Sequence, residues 1–281
     1  MTDIAVTGAT GEVGGRVARR LAAAGVPQRL VVRDPGRAPS LPGAEVAVAE
    51  YGDRRALAEA LRGIGTLMLV SATESPDRSR LQTETVQAAV DAGVERVVYT
   101  SFLGAAANAT FTFAQDHWDT EEYIRASDVR FTILRDSLYQ DLLPEYAGED
   151  GVIRGPAGTG AFAPVTRDDV ADTAVAVLLG GDHDGLTYDV TGPELITMED
   201  VATRLSRALG RTIRYQDESV EEAYASRDRL GAPDWQVRGW VTSYEAIAAG
   251  ELALVTDVVE RVTGHPATGF TDFARAWAAS R

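Results

Sequence analysis

Three observations predict an α/β protein. Short apolar runs alternate with helical patterns over the first half of the chain, three glycines stand at the exit of the first run, and the rhythm changes after residue 136. The expected architecture is a doubly wound parallel sheet with a smaller, mostly helical C-terminal lobe. The first strand, at 3–7, is carried by Ile4, Ala5 and Val6. It runs into Gly8, Gly11 and Gly14 and then a helix over 12–24, where Val13, Val17 and Leu21 recur at helical spacing. Strands are expected next at 29–33, 45–49, 66–70, 96–100 and 130–134. They are mostly continuous and apolar, as strands buried on both faces are. Helices fall between them at 54–62, 76–92 and 113–126. Gly25, Gly63 and Gly93 sit near the ends of three helices, where a C-terminal cap favours glycine.

Beyond residue 136 the pattern is different. Residues 147–164 carry Gly148, Gly151, Gly155, Pro156, Gly158 and Gly160 and are expected as a loop. A helix at 167–179, a strand at 186–190 and helices at 198–209, 219–228, 235–249 and 270–279 complete the chain. Two domains are expected: 1–136 as the sheet-bearing core, and 137–281 as the lobe, with some segments returning to the core. The cleft of such a sheet, at the carboxyl ends of its strands, is where ligands bind.

Composition removes several kinds of chemistry. The net charge is −15 with a pI near 4.6, which argues against nucleic acid and against an anionic membrane surface as partners. There is no cysteine, so disulfides and thiol catalysis are excluded. All 27 basic residues are arginine. Without lysine there is no Schiff-base lysine, no Gly-Lys-Ser/Thr phosphate loop and no Tyr-x-x-x-Lys dyad. His117, His183 and His265 are widely spaced and make no metal motif, so no metal is expected. The chain enters its first strand with no signal-peptide pattern, and its longest apolar stretch, near 173–179, is too short to span a bilayer. A cytoplasmic location is expected.

The residues at the strand ends indicate a ligand. In Gly8-Ala9-Thr10-Gly11-Glu12-Val13-Gly14, the first glycine makes the tight turn, the second lets the backbone approach a pyrophosphate, and the third lets the helix pack closely. The helix N-terminus then offers N–H groups and a positive dipole end to phosphates. At the end of the second strand, Arg33 and Arg37 favour the 2′-phosphate of NADP, while Asp34 is placed to take a ribose hydroxyl as in NAD. Asp53 is either an adenine-side residue or the N-cap of the next helix, or both. Ser71, Ala72 and Thr73 follow the fourth strand, where small residues admit a nicotinamide ribose, unless they form an ordinary loop. Tyr99, Thr100 and Ser101 end the fifth strand near the cofactor's reactive end. His117 is a candidate proton donor, ribose-hydroxyl holder or pocket wall, with Asp116 as a candidate partner. Tyr139 either faces the substrate or belongs to the lobe core. Thr166 reads as a helix N-cap.

Taken in order, the segments 6–14, 32–35, 51–53 and 99–101, His117 with Thr120 and Glu121, Leu134 with Arg135, Tyr139, and Thr166 with Arg167 resemble the NmrA-like atypical short-chain dehydrogenase/reductases. Within that group they are most similar to the type 2 NADPH:quinone oxidoreductases and the triphenylmethane dye reductases. The resemblance covers nearly the whole chain. It implies an NADP(H)-binding Rossmann domain and a substrate lobe. It also implies that Gly8, Thr10, Gly11, Glu12 and Val13 hold the pyrophosphate, that Arg33 and Arg37 hold the 2′-phosphate, and that the Ser71 region and Tyr99 flank the nicotinamide. His117 falls where isoflavone-reductase-type relatives carry a catalytic lysine. One departure is Asp136, where the closer relatives usually carry asparagine, which leaves the polarity of the substrate mouth open. The implied reaction is hydride transfer from NADPH to a quinone or similar planar aromatic acceptor, with room for a homodimer. A cationic dye needs no proton and a quinone takes one from water or His117, which suits a chain lacking the Tyr/Lys dyad. The alternative from another class is a non-catalytic NADP(H) sensor acting through a protein partner.

Overall fold

The structure, a computed structural model, describes residues 3–280. Strand β1 (Ile4–Thr7) is buried along its whole length and leads through the glycine turn into helix α1 (Glu12–Ala23). Then come β2 (Gln28–Val32), β3 (Ala44–Val48), α2 (Arg54–Ala60), β4 (Thr66–Leu69), α3 (Arg78–Ala92), β5 (Arg96–Phe102), α4 (Thr112–Ala126) and β6 (Arg130–Asp136). The second half runs α5 (Leu143–Tyr146), β7 (Val152–Gly155), β8 (Ala161–Phe162), α6 (Arg167–Leu179), β9 (Leu186–Val190), β10 (Ile196–Thr197) and α7 (Met198–Leu209). It ends with β11 (Arg214–Asp217), α8 (Val220–Asp228), α9 (Asp234–Ala248), α10 (Val258–Thr263) and α11 (Phe270–Ala279).

Seven strands form one sheet in the order β3-β2-β1-β4-β5-β6-β9. The pairs from β3 through β5 are parallel, with Val6 opposite Leu30 on one side and Met68 on the other. The chain therefore steps outward from β1 to β3, then restarts at β4 on β1's other edge. That reversal is the switch point at which open sheets of this kind bind nucleotides. This is the Rossmann arrangement the sequence predicts, and the strands lie within a residue or two of their expected positions.

The chain divides into two units of nearly equal length. The first takes residues up to 102, 116–135 and 170–188. Its core is a continuous cluster that includes Leu57, Leu61, Leu67, Leu69, Val86, Val97, Tyr99 and Ile124. Burying each large side chain contributes about 1.5–3 kcal/mol, which is what holds the helices to the sheet. The second unit takes 103–115, 136–169 and the chain from 189 onward. Residues 103–115, expected with the core, thus cluster with the lobe, and 170–188 cluster with the first unit.

Inside the second unit β7 pairs in parallel with β11, and β8 pairs antiparallel with β10. The segment 147–164, expected as a loop, therefore contains two short strands. It is also largely buried: Val152, Ile153, Ala157, Phe162 and Ala163 all lie in the interior. Its glycines serve close packing as well as turning. A Cβ on Gly155 would strike the Tyr244 ring, and one on Gly160 would strike the Ile247 carbonyl. No described helix is long and apolar enough to cross a membrane.

Candidate active site

The site on the first unit begins with the glycine turn. Gly8 has φ +63°, in the left-handed region, and its carbonyl accepts from Gly11 N at 2.8 Å to close the turn. Gly11 is the N-cap of α1, and no side chain caps the helix there. A Cβ on Gly11 would lie 3.2 Å from the Gly8 carbonyl, on a surface otherwise made of backbone. A Cβ on Gly14 would collide with the carbonyls of Thr7 and Gly8, so α1 can sit this close to β1 only with glycine there. The turn thus leaves a bare cradle of backbone at a helix N-terminus, the form that accepts a pyrophosphate. Thr10, Gly11 and Glu12 are exposed at its rim, and Val13 is buried beneath it. Glu12 pairs with Arg16 at 2.5 Å.

At the end of β2, Arg33 and Arg37 are both exposed. Asp34 accepts from Gly36 N at 2.9 Å and caps the short turn Pro35–Arg37 that carries the second arginine. Asp53 accepts from Ala56 N at 2.9 Å, so of its two readings the N-cap of α2 is seen directly.

The loop after β4 is pinned at its start, over Val70, Ser71 and Ala72. Val70 N donates to Thr7 Oγ1 at 3.0 Å, and the Tyr51 hydroxyl donates to the Val70 carbonyl. Ser71 N donates to Thr100 Oγ1 at 2.8 Å, and Ala72 N to Gln82 Oε1 at 2.9 Å. Arg78 Nε donates to the Ala72 carbonyl at 2.9 Å. Five side chains from four parts of the chain therefore fix the path through Ser71 and Ala72. Thr73, one residue on, is exposed.

His117 is 5 % exposed, and its Nδ1 lies 2.9 Å from the Tyr99 hydroxyl. The expected partner, Asp116, makes no bond to it. The Phe102 ring stacks beside the imidazole at 6.2 Å between centroids. Burial, reinforced by the nearby Arg78 guanidinium, pushes the His117 pKa well below the usual histidine value. The ring is neutral at pH 7, and its hydrogen bond to the Tyr99 hydroxyl fits either tautomer. Burial also pushes the Asp116 carboxyl up to about 6, against the pull of Arg78 and with help from Asp119 and Glu74.

Two residues expected beside the nicotinamide are placed differently. Tyr99 is fully buried in the sheet core, and Ser101 is buried with its hydroxyl donating to Glu121 Oε1 at 2.5 Å. Neither side chain has a surface for a ligand to touch. Strand alternation turns them inward, and Tyr99 reaches the site only through His117. Glu121 itself is buried and held by Arg135 at 2.6 Å and Arg125 at 2.9 Å. Arg78 and Gln82 carry no signal in the sequence, and Tyr51 stands there only within the segment 51–53. Arg78 sits in a polar run at the start of α3, where an arginine reads as solvated, yet it is 7 % exposed.

On the second unit, Tyr139 donates its hydroxyl to the Asp136 carboxylate three residues before it. The Arg167 guanidinium lies 5.0 Å from the Tyr139 ring centroid. The phenol is half-buried, with one side carried by a cation and its oxygen oriented by an acid. Thr166 accepts from Asp169 N at 2.9 Å, as the expected cap.

A family model described as NAD(P)H-binding matches residues 8–180. Quinone oxidoreductase 2 of Escherichia coli (strain K12) is 32% identical, over 94% of this chain and 95% of that one. Its crystal structure with NADPH superposes with a TM-score of 0.91, covering 98% of this chain and 99% of that one at 31% identity. A (4-alkanoyl-5-oxo-2,5-dihydrofuran-3-yl)methyl phosphate reductase of Streptomyces griseus subsp. griseus is 37% identical over 96% of both. The NADP(H)-bound triphenylmethane reductase of Citrobacter sp. gives a TM-score of 0.85 at 29% identity, covering 98% of this chain and 99% of that one.

Proposed function

This chain belongs to the NAD(P)H-binding family and is an NAD(P)H-dependent oxidoreductase; on that premise we propose that it moves a hydride from NADPH to a quinone or similar planar aromatic acceptor. The observation that carries the reading is the pinned loop at Ser71 and Ala72, which follows β4 at the switch point of the sheet, together with the buried, neutral His117 on α4. Bound NADPH supplies the hydride, and the protein supplies binding, orientation and a hydrogen-bond donor. Gly8, Thr10, Gly11, Glu12 and Val13 hold the pyrophosphate. Arg33 and Arg37 take the 2′-phosphate. Asp34 supports this choice because its carboxylate already caps the turn at Gly36. Asp53 serves the adenine side while capping α2. Ser71 and Ala72, on a pinned backbone, and the exposed Thr73 border the nicotinamide ribose.

At the reacting end, with Tyr99 donating to Nδ1, the His117 Nε2–H gives a hydrogen bond to a quinone oxygen, and the proton that completes the hydroquinone comes from water. Tyr99 is a positioning residue that fixes this tautomer. Arg78 places a buried positive charge close to that oxygen as negative charge develops on it. Tyr139 offers a ring for stacking. Acting on a small molecule in the cytoplasm, without nucleic acid or a membrane, suits a chain of charge −15, and a homodimer is compatible with the reading.

The test follows NADPH absorbance with purified protein, a panel of quinones and one cationic dye, with NADH in parallel. Turnover that prefers NADPH is expected. Tight NADPH binding with no oxidation by any acceptor would replace this reading with that of a cofactor-sensing regulator.

A further inference from the structure

We propose that the second unit carries a binding site of its own for a flat aromatic molecule with a single negative charge. The site is a cavity of about 330 Å³ bounded by α5, β7, α8 and α9. Its aromatic lining comes from Tyr146, Trp240 and Tyr244. Tyr244 is buried, and its ring centroid lies 6.1 Å from that of Tyr146 at an interplanar angle of 39°. Burial drives the Tyr244 phenol far above its usual pKa, so it stays neutral and adds no negative charge.

The charged lining is all of one sign. Arg154, Arg227 and Arg229 border the cavity, and no lining residue is acidic. That is unexpected in a chain of net charge −15. Two of the three are held by acids outside the lining. Asp150 holds Arg154 at 2.6 Å, and the buried Glu218 holds Arg227 at 3.2 Å. Arg227 is locked further, with Nη2 donating to the Arg154 carbonyl at 2.9 Å and its guanidinium 5.5 Å from the Tyr244 ring centroid. Three cations against two carboxylates leave one net positive charge at the mouth, and Arg229 carries it.

These features select a ligand class. Volumes from about 300 Å³ upward are those of small-molecule sites, and this one holds a two- or three-ring system. Aromatic walls favour stacking on a flat π-surface. One uncompensated guanidinium matches one carboxylate, sulfonate or enolate, and a second charge on the ligand would find no partner. All the lining residues belong to the second unit, so the proposal does not depend on the hydride-transfer reading.

The probe is 8-anilino-1-naphthalenesulfonate, a flat monoanion whose fluorescence rises on leaving water. It is titrated into the full chain saturated with NADPH, beside its neutral counterpart N-phenyl-1-naphthylamine. One site is expected, with the sulfonate bound about tenfold tighter than the neutral probe, as one charge-assisted contact gives. Arg229→Glu should abolish that preference and leave the neutral probe unaffected. Trp240→Ala should weaken both probes. Arg229 is exposed, so its replacement leaves the fold intact; Arg229→Gln, which should halve the preference or more, guards against a local effect of charge reversal. Equal affinity for the two probes in the wild type, or an unchanged sulfonate affinity in both Arg229 variants, would overturn the proposal. Sulfonate binding that appears only when NADPH is left out, with no response to any of these substitutions, would do the same, by placing the probe in the nucleotide site. A catalytically inactive protein that still binds the probe as predicted would leave this proposal standing and remove the hydride-transfer reading instead.

Discussion

On the proposed reading His117 works as a neutral group. Its burial and the adjacent Arg78 oppose a positive charge on the ring, so its part there is that of a hydrogen-bond donor and not of an imidazolium. His117→Ala should therefore cost a cationic dye less than threefold in kcat/KM, because hydride addition to the dye develops no oxyanion. With a quinone the loss should reach about 10²-fold, the low end for removing one hydrogen-bond donor from a developing oxyanion. Steady-state rates with both acceptors measure this, and an equal, near-total loss with both would assign the ring a structural role. Asp116 gives a second handle. Its pKa rises from 3.8 to about 6 on folding, so between those values the native state binds more protons than the unfolded chain. Stability contributed at this position is therefore present below pH 4 and lost as pH rises through 6. Asp116→Asn should raise stability at pH 7.5 by about 1 kcal/mol, a figure discounted for the carboxyl's partial exposure, and by nothing at pH 3.5. Denaturant melts at the two pH values check it; a gain of equal size at both would show that charge is not the cause.

At the scale of elements, β1 and α1 are joined by two glycines doing different things. A Cβ on Gly14 meets backbone oxygens of Thr7 and Gly8 that cannot yield, so Gly14→Ala should force α1 off β1 and cost about 2–3 kcal/mol along with cofactor binding. A Cβ on Gly11 needs its neighbour to give by only a few tenths of an ångström. Gly11→Ala should keep most of the stability and still weaken NADPH binding at least tenfold, by filling the cradle. Thermal melts with and without NADPH separate the two; equal destabilisation would mean that both glycines serve packing alone. This junction was legible in the sequence because a buried strand, a turn and an amphipathic helix each leave a short-range signature. The same holds for β9, whose range matches the expected strand at 186–190. The segment 147–164 was not legible. Its glycines signal turns, while the partners that bury it, Tyr244, Ile247 and strand β11, lie about 60 to 90 residues away. The candidate site divides along the same line. Glycines and arginines at strand ends could be placed from local pattern. Arg78, Gln82 and Tyr51 could not, because each becomes a site residue only by reaching across to Ala72 or Val70.

Over the whole molecule the decisive quantity is charge. A chain of net charge −15 repels an anionic dinucleotide, so capture depends on positive groups placed against the overall field. With no lysine available, the proposed reading gives that part at the adenosine end to Arg33 and Arg37, exposed at the end of β2. Replacing both by alanine should weaken NADPH binding by about 10²-fold and NADH binding hardly at all, since only NADPH carries the 2′-phosphate. The salt dependence of the kinetics should change too. In the wild type, salt screens an attraction at the site as well as a repulsion from the rest of the surface. In the double variant only the repulsion remains. Its association rate with NADPH should therefore rise, by about threefold, as ionic strength goes from 0.02 to 0.2 M, where the screening length falls to about 10 Å or less. Stopped-flow fluorescence reads both rates. An association rate that falls with salt in the double variant would mean that another cationic group steers the cofactor, and Arg78, buried but beside the Ser71 loop, would be the next residue to replace.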